Sequence, residues 1–97
     1  MTKSWIPSEF MAYGLPWKVR FVTEHEKIKG NFGHCSSEDQ TIYILKTATR
    51  RQQESTFLHE LIHLISETME LNLSEHSVLC LEGGLYPILK DNGIKIF

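Results

Sequence analysis

The sequence has no apolar run near the roughly 18 residues that a membrane-crossing helix needs, so no membrane partner is expected. It has two cysteines, Cys35 and Cys80, too few for a disulfide framework, and two free thiols in a reducing compartment are the plain expectation. It lacks a basic excess, with 10 Lys and Arg against 12 Asp and Glu and a formal net charge of -2. Modules that bind phosphate backbones carry a clear positive surplus, so a nucleic-acid partner is not expected. The stretch from Met1 to Gly14 holds one lysine and no continuous apolar segment, so no secretory signal is read there and cytoplasmic residence is the expectation. Internal repeats and low-complexity segments are also missing, which removes solenoid and linker architectures.

What is present suits an ordinary folded chain: 97 residues, 41% hydrophobic and 23% charged, enough for a single domain over 1–97 with one modest core. The N-terminal third is rich in turn formers (Pro7, Gly14, Pro16, Gly30, Gly33). Between them Trp17, Val19 and Phe21 alternate with Lys18 and Arg20, the period of a strand with one buried face. Thr41 to Leu45 is a second β-branched and aromatic run, and Asn31-Phe32-Gly33 is a candidate short strand between them.

From Thr49 to Glu70 there is neither glycine nor proline. Thr49-Arg50-Arg51-Gln52 fits a reciprocal capping box, and Leu58, Ile62, Ile65 and Met69 recur at helical spacing, widened by Leu61 and Leu64. Ser74 is a good N-cap for a second helix with Glu75 in its first turn and apolar positions at Val78, Leu79, Leu81 and Leu85. Gly83-Gly84 and Pro87 are expected to kink or break it, and Asp91-Asn92-Gly93 to end it before a short extended tail. The pattern predicts an α+β fold: a small N-terminal β-sheet, an active-site helix over about 50–70, and a second helix over about 74–91.

Within the long helix lies His59-Glu60-Leu61-Ile62-His63, an H-E-x-x-H motif. Side chains four apart share one helical face, so both imidazoles can reach one ion, and neutral imidazole nitrogen suits Zn²⁺. Glu60 projects beside that ion, where it can take a proton from an activated water and pass it to a leaving amine. The plain alternative is two surface histidines and a solvated glutamate. The apolar flanks argue against it, because unpaired polar groups are costly in such a segment.

A catalytic zinc site expects three protein ligands and an open position. The elongated motif with a third histidine is absent, since Ser66 and Met69 stand at the glycine and histidine positions. Glu67 and Glu70 are acidic, but Glu67 lies about 12 Å along the helix from His59. Another element must supply the third ligand. Glu75 is the first choice, with Glu82 and His76 as alternatives.

The segments Thr56–Ile65, Leu73–Val78, Gly84-Leu85-Tyr86 and Asp91-Asn92-Gly93 together resemble the small phage-encoded zincins, related to the ImmA/IrrE-type metallopeptidases and more distantly to SprT-like proteins. The resemblance runs from about Gly33 to Gly93. It implies a minimal zincin fold with zinc held by His59, His63 and a downstream glutamate aligning with Glu75, and with Glu60 as the base. It further implies that an edge strand, for which Thr41 to Leu45 is the candidate, holds an extended substrate.

The expected activity is therefore zinc-dependent hydrolysis of a protein or peptide, in a host or bacterial cytoplasm. The alternative is a non-catalytic module in which zinc staples two helices. Tyr43, Tyr86, His34 and His76 are available to stabilise an oxyanion, and the sequence does not rank them. Lys46, Arg50 and Arg51 could line a groove, though cations at a helix start are usually a solvated surface. Trp5 and Trp17 read as core residues.

Overall fold

The computed structural model describes residues 5–23 and 28–96. The chain forms four strands and then two helices, β1 (Glu9–Ala12), β2 (Leu15–Val22), β3 (Gly33–Ser36), β4 (Thr41–Leu45), α1 (Arg50–Thr68) and α2 (Glu75–Asp91), an α+β architecture as the sequence pattern predicts. No helix among the described residues is long and apolar enough to cross a membrane.

The sheet order is β1-β2-β4-β3, with β4 parallel to β2 and antiparallel to β3. This overturns the expectation that Thr41 to Leu45 is an edge. β4 is interior, and Thr41, Ile42, Tyr43 and Ile44 are all buried. A strand packed on both faces carries a continuous β-branched and aromatic run rather than alternation, and that is what its sequence shows. β3 is the edge strand on the helix side of the sheet.

β1 escapes the periodicity reading because it is only four residues long, Glu9-Phe10-Met11-Ala12, with Phe10 alone fully inward. It pairs with β2 across a two-residue turn in which Tyr13 (φ 54°) and Gly14 (φ 80°) both take left-handed backbone. That is the hairpin turn whose twist matches the strands, and Gly14 supplies one of its positions without steric cost. β3 starts at Gly33 and runs through His34-Cys35-Ser36, displaced from the expected Asn31-Phe32-Gly33.

Three layers follow. The sheet packs one face on α1 through Phe10, Trp17, Val19, Ile42, Ile44, Phe57 and Leu64, and α1 packs its other side on α2 through Leu58, Ile62, Val78 and Tyr86. Trp5 touches both clusters, and Trp17 is buried, so both tryptophans serve the core. Phe57 is fully buried between Trp5 and Phe10, with ring centroids at 5.6 and 5.8 Å. Truncating such a residue typically costs about 3–5 kcal/mol.

The predicted apolar stripes are only partly used. Ile65 of α1, its C-cap Met69, and Leu79, Leu81 and Leu85 of α2 are exposed, because α2 covers α1 alone and leaves its own far side to solvent. The α1 N-cap forms half of the predicted box: Thr49 Oγ1 accepts from the Gln52 backbone at 3.2 Å, but the Gln52 side chain donates to Thr56 Oγ1 instead of reaching back. α1 ends at Thr68, two residues before the expected limit. Glu70 takes left-handed backbone there, and the Leu71 amide donates to the Ser66 carbonyl at 2.9 Å.

Ser74 caps α2 as predicted, accepting from the Ser77 backbone at 3.1 Å. Across Gly83, Gly84 and Pro87 the helix continues unbroken. Proline removes one backbone bond and crowds the carbonyl four residues back, a local penalty that the packing of Val78, Tyr86 and Leu89 on α1 outweighs. After Gly93 the residues 94–96 pair with no strand, and Phe97 lies outside the described residues.

Candidate metal centre

α1 and the edge strand β3 come unusually close. A Cβ built at Gly33 would fall 2.5 Å from Thr56 Cγ2 and 2.8 Å from the Tyr43 carbonyl oxygen, so only glycine fits. This contact sets β3 alongside the H-E-x-x-H face of α1, and the start of α2 closes the third side. Between them lies a cavity of about 830 Å³ whose lining includes Gly33, Cys35, His59, Glu60, His63 and Glu75.

His59 and His63 meet edge to face with ring centroids 4.8 Å apart. Glu75, the first residue of α2, spans them: Oε1 is 2.9 Å from His59 Nε2 and Oε2 is 3.0 Å from His63 Nε2. One ligand atom from each of these three residues lies within 4.8 Å of the others. Donors set tetrahedrally about 2.0–2.2 Å from zinc stand roughly 3.4 Å apart, so small shifts, which open the 2.9 and 3.0 Å contacts slightly, bring this set onto one ion. Two imidazole nitrogens and one carboxylate oxygen are also the donor chemistry zinc takes when a fourth position is left for water or substrate.

The two alternatives for the third ligand stand elsewhere. Glu82 Oε1 lies 3.0 Å from His59 Nδ1, the ring nitrogen turned away from Glu75, and its other oxygen accepts from the Ser55 hydroxyl. His76 is exposed, with Nε2 at 3.5 Å from Cys80 Sγ. Glu67 and Glu70 line the cavity but fall outside the three-residue cluster, in line with the helical rise that excludes them as ligands.

Glu60 is 6% exposed and faces the backbone N–H of Cys35. Burial pushes its carboxyl up to about 7; the positive charge His59 can carry opposes this, the Glu75 carboxylate adds to it, and the Cys35 amide holds it down somewhat. A carboxyl poised near neutral pH is suited to take a proton and give it back. The Cys35 thiol, pushed up to about 12 first by burial and then by the charges of Glu60 and Glu67, stays protonated beside it. Both cysteines are free thiols, as expected.

Charge in the cavity is one-sided. Glu60, Glu67, Glu70, Glu75 and Glu82 all line it, and no Lys or Arg does so among the described residues. Lys46, Arg50 and Arg51 are not part of the lining, and Arg51 instead sits over the Tyr86 ring at 5.7 Å. Of the four oxyanion candidates only His34 lines the cavity. The Tyr43 hydroxyl donates to Asp39 at 2.8 Å and that of Tyr86 to Glu54 at 2.9 Å, both away from the site.

Sequence reasoning did not single out Ser55 or the Cys35 amide. Ser55 was discoverable, since it precedes His59 by one turn on the same face. The amide was not, because only strand placement brings it to Glu60. Compared with known proteins, the chain matches no family model, no curated protein and no solved structure.

Proposed function

We propose that this chain is a zinc-dependent peptidase of the H-E-x-x-H type, akin to the small phage-encoded zincins, acting on a protein or peptide in a host or bacterial cytoplasm. The observation that carries the reading is the convergence of His59, His63 and Glu75 beside a buried Glu60 whose carboxyl stands near neutrality. His59, His63 and Glu75 would hold the ion, which when bound polarises a carbonyl and makes water acidic enough to attack at neutral pH.

The remaining work falls to the chain. Glu60 takes one proton from the attacking water as its oxygen bonds to the carbonyl carbon, then delivers that proton to the amine nitrogen as the C–N bond breaks. β3 is the surface for an extended substrate. The Leu45 amide donates to the Phe32 carbonyl at 2.7 Å, so in the β3–β4 register Phe32, His34 and Ser36 are the paired positions. The backbone groups of Gly33 and Cys35 therefore point to the open edge, where strand addition would occur, except that the Cys35 amide already meets Glu60. His34 is the side chain nearest in role to an oxyanion donor.

Zinc content and cleavage of a mixed peptide library, read by mass spectrometry, test the reading in wild type and Glu60→Gln. One zinc in both, with cleavage in the wild type reduced about 10²–10⁴-fold in the variant, is the expected result. Equal cleavage by both proteins sinks the assignment of Glu60. Zinc retained with no cleavage by either favours a zinc-stapled interaction module instead.

A further inference from the structure

The two histidines of the cluster do not have equal surroundings. His63 is a third exposed, and among the described residues its Nδ1 has no hydrogen-bond partner. His59 is 13% exposed and has a carboxylate against each ring nitrogen, Glu75 on Nε2 and Glu82 on Nδ1. We infer that Glu82, tethered by Ser55, is a positioning residue that fixes the tautomer and ring angle of His59, so that one imidazole of the site is braced on the nitrogen turned away from the ion and the other is not. This rests on the zinc reading above.

The chemistry leaves little freedom. With an ion on the Nε2 side, which Glu75 and His63 also face, the single hydrogen of a neutral His59 is left to Nδ1, where it donates to the Glu82 carboxylate, which accepts and cannot donate. The two nitrogens point to nearly opposite sides of the ring. An ion on Nε2 would therefore lie roughly 6–7 Å from the Glu82 oxygen, outside the reach of a ligand. Glu82 thus orients rather than ligates.

Its own orientation is fixed from α1. Ser55 and His59 are four residues apart on one helical face, and each engages a different oxygen of the same carboxylate. The carboxylate cannot rotate without losing one of them, and at 18% exposure it is sheltered from water that would replace either. Glu75 and Glu82 are seven residues apart, two turns of α2, so docking this one helix delivers both the ligand and the group that aims its neighbour. Partners of this kind on the far nitrogen of a ligating histidine commonly change metal affinity by about 10–100-fold.

Chelator competition for zinc on Ser55→Ala, Glu82→Gln and Glu82→Ala, with long-range proton–nitrogen spectra of the zinc-loaded imidazoles, tests the inference. Glu82→Ala is expected to weaken zinc about 10–100-fold. Glu82→Gln should weaken it by less, since the amide oxygen still accepts from Nδ1–H while its NH₂ donates to Ser55. In the wild-type spectra His59 should show one fixed Nδ1–H tautomer, and only the His59 signals should change in Glu82→Ala.

Unchanged zinc affinity in Glu82→Ala, with only the melting temperature lowered, overturns the inference and leaves Glu82 a structural contact. A lower coordination number by X-ray absorption in the same variant also overturns it, by making Glu82 a ligand. If Glu82→Ala does not fold, Ser55→Ala and Glu82→Gln must each weaken zinc at least about twofold at unchanged coordination number. A wild type that takes up no zinc overturns the metal reading itself, which is distinguishable from all of these.

Discussion

The seam between α1 and α2 holds two polar clusters, one at each end, and they solve the same problem differently. At the closed end Glu54 is 2% exposed, yet it accepts from the Tyr86 hydroxyl at 2.9 Å and has Lys90 Nζ 3.6 Å from the same oxygen, with Arg51 over the Tyr86 ring. A carboxylate there is met by donors and cations from the chain itself. At the open end Glu60, Glu75 and Glu82 face two imidazoles, and among the described residues no Lys or Arg lines the cavity. Sheltering carboxylates such as Glu60 and Glu82 without matching positive charge is costly, and on the zinc reading proposed above the ion supplies that charge. The closed cluster is a staple, and on the proposed reading the open one is a receptor.

The sharpest way to break this contrast is to remove one group from each end and measure zinc. His63→Ala is expected to lose stoichiometric zinc in equilibrium dialysis, while Tyr86→Phe retains it at wild-type affinity. Zinc retained by the first or lost by the second would erase the division. The next effect concerns pH in the zinc-free protein. A carboxyl raised from 4.5 to about 7 on folding loses its proton first in the unfolded chain, so stability falls as pH rises through that window and the deficit is complete above it. At about 1.4 kcal/mol per pH unit the deficit is about 3 kcal/mol. Urea titrations at pH 5 and pH 8 should show that loss in wild type and not in Glu60→Gln, and parallel behaviour of the two proteins would refute it. The smallest effect belongs to the staple: Tyr86→Phe is expected to lower unfolding free energy by about 2 kcal/mol, because a buried carboxylate loses a donor.

The candidate ligand pair and candidate base are legible in the chain because helical geometry is local. Residues 59, 60 and 63 share an orientation wherever that helix forms, and Thr49 and Ser74 mark where the two helices begin. The Thr41–Leu45 run is legible as a strand, but its place in the sheet is not, since a buried interior strand and an exposed edge differ in neighbours rather than in conformation. β1 is too short to show a period, and its best sign is the Tyr13-Gly14 turn that follows it. Of the kink or break expected at Gly83, Gly84 and Pro87, the break does not occur, for a related reason: local propensity is a weak term beside the packing of α2 on α1.

The sequence alone therefore determined the α+β order of elements, the helix that carries His59, Glu60 and His63, and the chemistry those three side chains can perform. The tertiary structure decided which distant groups join them. Glu75 and Glu82 are both acidic and lie two turns apart on the same face of α2, and composition cannot separate them. They are separated by the crossing of two helices, which sets one carboxylate across both Nε2 atoms and the other against Nδ1 of His59. The edge at β3, the Cys35 amide on Glu60 and the one-sided charge of the cavity arise in the same way, from packing between elements far apart along the chain.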